Sequence, residues 1–162
     1  MSLLGIDIGT TGAKVILLEE DGSIAANVTE EYETSTPSPL WSEQKPGDWW
    51  NATCAGVKKA LEASGKNNSD IKGVGVSGQM VGLVLLDRGG KPLRPCIMWN
   101  DQRSVNEAED LTAQIGLETI LAETSNPLFA SLVAPKLEWV RRHEPDIYSQ
   151  IRHVLLPNCL LY

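Results

Sequence analysis

Chemistry-bearing residues gather near the start of the chain, in Asp7-Ile8-Gly9-Thr10-Thr11-Gly12 with Lys14 just beyond. A carboxylate closing an apolar run can hold Mg²⁺, directly or through water, because hard cations prefer oxygen ligands. The Gly/Thr turn that follows exposes backbone N–H groups, and the hydroxyls of Thr10 and Thr11 add donors toward phosphate oxygens. Lys14 supplies a cation close by. The plainer alternative is a hairpin turn that carries an incidental aspartate. A Walker A loop is excluded, since G-x-x-x-x-G-K-[ST] occurs nowhere in the sequence.

The elements that must position this turn are legible around it. Leu3 to Ile8 is an apolar strand, closed by Gly9-Thr10-Thr11-Gly12 as a turn signal. Val15 to Leu18 reads as the next strand, Asp21-Gly22 as a hairpin turn, and Ser23 to Tyr32 as a weaker third strand, so that the three form an antiparallel meander. Ser35 to Pro46 holds three prolines and reads as a loop. A helix is expected from Pro46-Gly47-Asp48 with Asp48 as its cap, carrying Trp49, Thr53, Val57, Ala60 and Leu61 at helical spacing. Further strands are expected over Ile71–Ser77, Leu83–Leu86 and Val154–Pro157, and an extended segment over Pro92–Trp99. Arg103–Ile115 reads as an exposed helix ending at Gly116, with its charged start a solvated face. A loop around Asn126-Pro127 leads to a helix over Ala134–His143. His143 at that helix end and His153 before a strand call only for structural roles. The apolar Cys159-Leu160-Leu161-Tyr162 directly after a strand is unusual for a domain terminus, and predicts further chain to pack against it.

Composition narrows the function classes. The chain has 162 residues, 42% hydrophobic and 22% charged, an ordinary composition for a globular protein with a real core. Its net charge of −7, with no basic cluster larger than Arg141-Arg142, opposes binding to nucleic acid. Any bound ATP must then be held by a local site rather than by a general positive field. No apolar run approaches the ~20 residues of a membrane helix, and the N-terminus lacks the pattern of a signal peptide. Three widely spaced cysteines suggest reduced thiols, neither a disulfide framework nor a zinc site, and a cytoplasmic location.

Leu4-Gly5-Ile6-Asp7-Ile8-Gly9-Thr10-Thr11 resembles the first phosphate-binding turn of the superfamily that joins actin, chaperone ATPases and sugar kinases. Two later segments choose a branch. Gly75-Val76-Ser77-Gly78-Gln79-Met80-Val81-Gly82-Leu83-Val84-Leu85-Leu86-Asp87 is similar to the xylulokinase-like pattern G-x-S-G-Q-M-H-G-x-V-x-L-D. Pro95-Cys96-Ile97-Met98-Trp99-Asn100-Asp101-Gln102-Arg103-Ser104 is similar to P-x-I-x-W-x-D-x-R-[ST]. With Trp41 to Trp50, which resembles the x-Q-x-P-x-x-W-W stretch, these cover most of the chain in the order found in the FGGY carbohydrate kinase family.

The resemblance implies an α/β fold, an actin-like (ribonuclease H-like) lobe whose mixed sheet opens with the three-stranded meander and carries helices packed on it. Residues 1–162 would be an incomplete sugar-binding N-terminal domain, with the C-terminal domain outside this chain. The implied activity is ATP-dependent phosphorylation of a sugar hydroxyl, on a pentulose such as xylulose or a related ketose, polyol or sugar acid. ATP and Mg²⁺ are the implied cofactors, and a homodimer is an open expectation. Asp7 would organise Mg²⁺ and the transferring phosphate, with Thr10, Thr11 and Lys14 near the nucleotide phosphates. Gln79, Met80 and Val81 would contact the sugar, and Trp99 would wall its pocket, its flat face against C–H bonds. Asp101 and Arg103 either bond the sugar or brace their own loop. Val81 stands where xylulokinase-like members carry a histidine that touches the sugar, and the side chain of valine can neither donate nor accept a hydrogen bond, which costs ~1–3 kcal/mol if a buried hydroxyl is left unpaired. The family's catalytic aspartate would lie downstream of Tyr162, so this chain alone is expected to be inactive. Two other classes remain: a non-catalytic sugar-binding or regulatory remnant, and an actin-like or chaperone-like ATPase module. The Gln79-Met80 and Trp99-Asn100-Asp101 segments oppose the last.

Overall fold

A computed structural model describes residues 1–161, the backbone alone at Leu161, so the expectation placed on the apolar end of the chain lies partly outside the described residues. The described residues divide into two compact units: 1–34 with 45–80 and 157–161, and 35–44 with 81–156.

The first unit is a mixed sheet with one long helix on it. Strands β1 (Ser2–Ile8), β2 (Gly12–Glu19) and β3 (Ile24–Glu31) form the expected antiparallel meander, and β5 (Ile71–Gly78) adds to β1 in parallel, giving the order β3-β2-β1-β5. Strand periodicity sets the faces. Leu4, Ile6 and Ile8 of β1 are buried whereas Leu3 and Asp7 are exposed. Leu4, Ile6, Val15, Leu17 and Ala26 meet Ala60 of helix α1 (Pro46–Ser64), with Val57 and Leu61 packed around them. Gly56 lets this helix approach, because a Cβ there would lie 2.8 Å from the Val15 Cγ2. Asp48 is not the cap expected of it: the N-cap is Lys45, and Pro46 holds the first helical position, where its missing N–H has no helical partner to lose. Asp48 instead lies in the first turn, where a carboxylate suits the positive end of the helix dipole.

The second unit combines two small antiparallel ribbons with helices. Strand β4 (Glu43–Gln44), inside the segment expected to be loop, pairs with β7 (Cys96–Ile97); β6 (Val84–Leu86) pairs with β8 (His153–Leu155). Helices α2 (Val105–Ile115), α3 (Leu117–Thr124), α4 (Val133–His143) and α5 (Pro145–Gln150) complete it. Leu83, Leu85, Ile97, Trp139 and Val140 form its core. Of the extended segment expected over Pro92–Trp99, Cys96–Ile97 forms a strand, and isolated bridges join Pro92 to Leu86 and Ile97 to Leu83. Helix α2 ends at Gly116 as expected, but it starts only at Val105, and its charged start is not a solvated face. Glu107 is buried beside His143, and the Arg103 side chain, ahead of the helix, is wholly covered. Helices α3 and α5 are unanticipated. Each is short and presents little apolar surface to a core, Ile120 being the one buried residue of α3 and α5 having none.

Candidate functional site

The Asp7 turn leaves the carboxyl end of β1. Asp7 faces away from α1 on the open side of the sheet, directly across from Lys14 on β2 and Ser77 on β5. Gly5, Asp7, Lys14, Ile16, Gly75 and Ser77 line one shallow cleft there. The turn itself is tight: the Gly9 N–H donates to the Gly12 carbonyl at 3.0 Å. Gly12 is demanded by a close approach, since a Cβ would sit 2.7 Å from the Glu30 carbonyl oxygen. Thr11 is exposed and Thr10 half-buried. Tyr32, not anticipated from the sequence, closes the turn from β3's side. Its hydroxyl donates to the Gly9 carbonyl and its N–H to the Thr11 carbonyl. Burial, and then the Asp7 charge, push the Tyr32 hydroxyl well above the ordinary phenol range, so it stays a donor.

Gln79 and Met80 leave the carboxyl end of β5, the strand parallel to β1, and the Gln79 N–H donates to the Ile8 carbonyl at 2.8 Å. Two turns therefore rise from neighbouring parallel strand ends, the usual place for a ligand on an open α/β sheet. Met80 is largely exposed. Asp7 is the one carboxylate in the cleft beside the turn, and among the described residues no cluster of three or more His, Cys, Asp or Glu is placed to hold a metal. A lone exposed carboxylate fits Mg²⁺, which keeps most of its waters and takes phosphate oxygens as further ligands.

In the second unit, Val81, Trp99, Asp101 and Arg103 take three different situations. Val81 sits at φ 52, in the left-handed region that β-branched residues avoid. The Met98–Asp101 turn, closed by the Asp101 N–H to the Met98 carbonyl, carries Trp99 at its tip, 44% exposed. Asp101 is entirely buried and saturated: it accepts from the Ser42 N–H at 2.6 Å and from the Arg103 N–H, Nε and Nη2 at 2.9, 2.9 and 2.8 Å. Arg103 also pairs with Glu43 at 2.7 Å and lies 3.8 Å above the Trp41 ring. Glu43 in turn binds Arg94, which reaches Glu144 at 2.6 Å. This geometry fits the bracing alternative for Asp101 and Arg103 better than a sugar contact, because the carboxylate is enclosed by protein donors.

Sequence reading also passed over Lys136. Its side chain is fully buried in α4, and its Nζ donates to the Val81 carbonyl at 2.8 Å and to the Ser131 carbonyl at 2.7 Å. Desolvation pushes its ammonium down to about 8. The signal for it was a lysine, four residues into a helix, on the same stripe as the core residue Val140. His143 stacks on Trp139 and approaches Glu107 at 3.3 Å, a structural setting. The three cysteines are free, and burial pushes the Cys96 thiol up to about 12. Among the described residues no helix is long and apolar enough to cross a membrane.

Comparison with known proteins agrees with the spaced motifs. The model of the FGGY family of carbohydrate kinases, N-terminal domain, matches residues 2–162. A xylulose kinase of Escherichia coli (strain K12) is 47% identical over 157 residues, 96% of this chain and 31% of the relative. A crystal structure of a xyloylose kinase from Brucella ovis superposes with a TM-score of 0.93 at 43% identity, covering 99% of this chain and 33% of that one. A xylulose kinase from Rhodospirillum rubrum gives a TM-score of 0.94 at 32% identity, with the same coverage. The chain thus spans about a third of the length of these relatives.

Proposed function

This chain belongs to the FGGY family of carbohydrate kinases, xylulokinase-like over its N-terminal domain region, and from that premise we propose that it supplies the sugar-contacting turns and one phosphate turn of an ATP-dependent carbohydrate kinase. The observation that carries the reading is the pair of turns, at Asp7 and at Gln79-Met80, rising from adjacent parallel strand ends. The mixed sheet with its packed helix belongs on this reading to an actin-like (ribonuclease H-like) lobe, and residues 1–162 are part of the sugar-binding domain. The substrate class is a pentulose such as xylulose, or a related ketose, polyol or sugar acid.

Asp7 is the protein's ligand for Mg²⁺, with Thr10, Thr11 and Lys14 facing the nucleotide phosphates. When bound, Mg²⁺ supplies the charge neutralisation that phosphoryl transfer needs. Tyr32 and Gly12 keep the turn in shape. Gln79, Met80 and Val81 contact the sugar, Trp99 walls it, and Asp101 with Arg103 holds the Trp99 turn. The catalytic base is an aspartate downstream of residue 162.

The test is ADP release by the full-length protein on a panel of D-xylulose, D-ribulose, glycerol and D-gluconate. The Asp7→Ala variant is expected to lose roughly a hundred-fold or more in kcat, in line with other charge-organising groups, with a smaller change in sugar KM. Near-normal turnover of Asp7→Ala would sink the assignment, and no ADP release on any sugar would favour a non-catalytic sugar-binding protein.

A further inference from the structure

We propose that Lys136 is a positioning residue for the substrate: its ammonium holds the Val81 carbonyl, and so keeps the turn after Gln79-Met80 in the left-handed conformation. The proposal rests on the reading of that turn as sugar-contacting.

A cation at Lys136 is costly on three counts. The side chain is wholly buried, and a buried charge is expensive unless fully paired. It lies in the first turns of α4, near the end of the helix dipole that repels cations. Among the described residues no carboxylate comes within ion-pair distance of it, and its two partners are backbone carbonyls. An apolar side chain of the same length would fill the space without these costs, so core stability does not account for the residue.

What the ammonium does achieve is specific. Val81 is β-branched and sits at φ 52, a conformation that persists only where its surroundings impose it. Two residues later Leu83 is locked in the core, its N–H bonded to the Ile97 carbonyl. Among the described residues the Val81 backbone has no hydrogen bond except the one from Lys136. The same ammonium binds Ser131, which ties the turn to the segment leading into α4. Removing the ammonium frees Val81 to relax to negative φ, and with it the orientation of the turn.

The experiment compares Lys136→Met in two backgrounds of the full-length protein, using the best substrate of the four-sugar panel. In the natural background K136M is expected to raise the sugar KM roughly ten-fold, the scale of one lost charge-assisted hydrogen bond, with the ATP KM unchanged and a smaller fall in kcat. Glycine adopts positive φ without strain, so in a Val81→Gly background K136M should raise the sugar KM by less than about three-fold, a non-additivity diagnostic of coupled residues. The same multiplicative loss in both backgrounds would overturn the proposal, and so would a crystal structure of K136M with Val81 still at positive φ. Should Val81 move to negative φ while neither K136M nor V81G changes the sugar KM, the anchor would stand but the sugar-contacting reading beneath it would fall. Lys136→Leu, which likewise lacks a donor, carries the same comparisons if K136M does not accumulate as folded protein.

Discussion

Replacing Asp101 by asparagine separates the two roles left open for the Asp101–Arg103 pair. The substitution keeps shape and size but makes one terminal atom a donor. With the amide nitrogen in the place of Oδ1 it would face the Arg103 N–H and Nε; in the place of Oδ2 it would face the Ser42 N–H and Arg103 Nη2. Either way two of the four hydrogen bonds become donor–donor contacts. The negative charge opposite a covered guanidinium is lost as well, although Glu43 still pairs with Arg103. Breaking one side of a buried pair costs about 3–5 kcal/mol, and the surviving Glu43 contact places the expected loss near the lower end, about 3 kcal/mol. For a unit of this size that lowers the unfolding midpoint by roughly 12–24 °C. Tryptophan fluorescence is a suitable monitor, because the Arg103 guanidinium lies against both Trp41 and Trp139. Sugar KM, measured in the full-length protein well below the midpoint, should change little. An unchanged midpoint with a ten-fold rise in sugar KM would refute the brace and make Asp101 a substrate contact.

Gly12→Ala places a methyl 2.7 Å from the Glu30 carbonyl oxygen, and neither backbone can yield cheaply. A loss of roughly 1–3 kcal/mol in denaturant unfolding is expected, and a value within experimental error of zero would mean that the β2–β3 pairing is looser than its register implies. Val81→His introduces a hydrogen-bonding side chain at a position proposed to contact the sugar, and should raise kcat/KM on D-xylulose relative to the other sugars by roughly two- to ten-fold. An unchanged substrate ranking would remove this position from specificity.

The meander was legible because period-two alternation and turn chemistry agree over the first 32 residues: Leu4, Ile6 and Ile8 point one way, Leu3 and Asp7 the other. Long-range pairings were less so. Nothing local in Ile71–Gly78 says that it lies parallel to β1, a crossover that depends on α1 burying Ala60 on the sheet. The two-residue strands β4 and β7 exist only because Ser42–Gln44 and Cys96–Met98 meet each other, a contact between segments some fifty residues apart. Asp48 misled for a physical reason: a carboxylate serves a helix start both as a cap and in the first turn, and Pro46 at the first helical position decided between them.

The candidate site shows where reading by residue type stops. Asp7 and Asp101 are both aspartates in family-like motifs, equally capable of binding a cation, a hydroxyl or a guanidinium. Partner count distinguishes them. Asp7 is exposed at a strand end beside a cleft, so its oxygens are available to ligands, whereas Asp101 accepts four hydrogen bonds from its own chain and has no exposed surface. Lys136 extends the rule to cations. Lys14 is exposed and opposite Asp7, where it can answer a phosphate, while Lys136 spends its donors on two carbonyls. A charged side chain whose bonds go to its own chain acts on substrate only through the segment it holds, and the segments held here, at Val81 and at Trp99, are those proposed to contact the sugar.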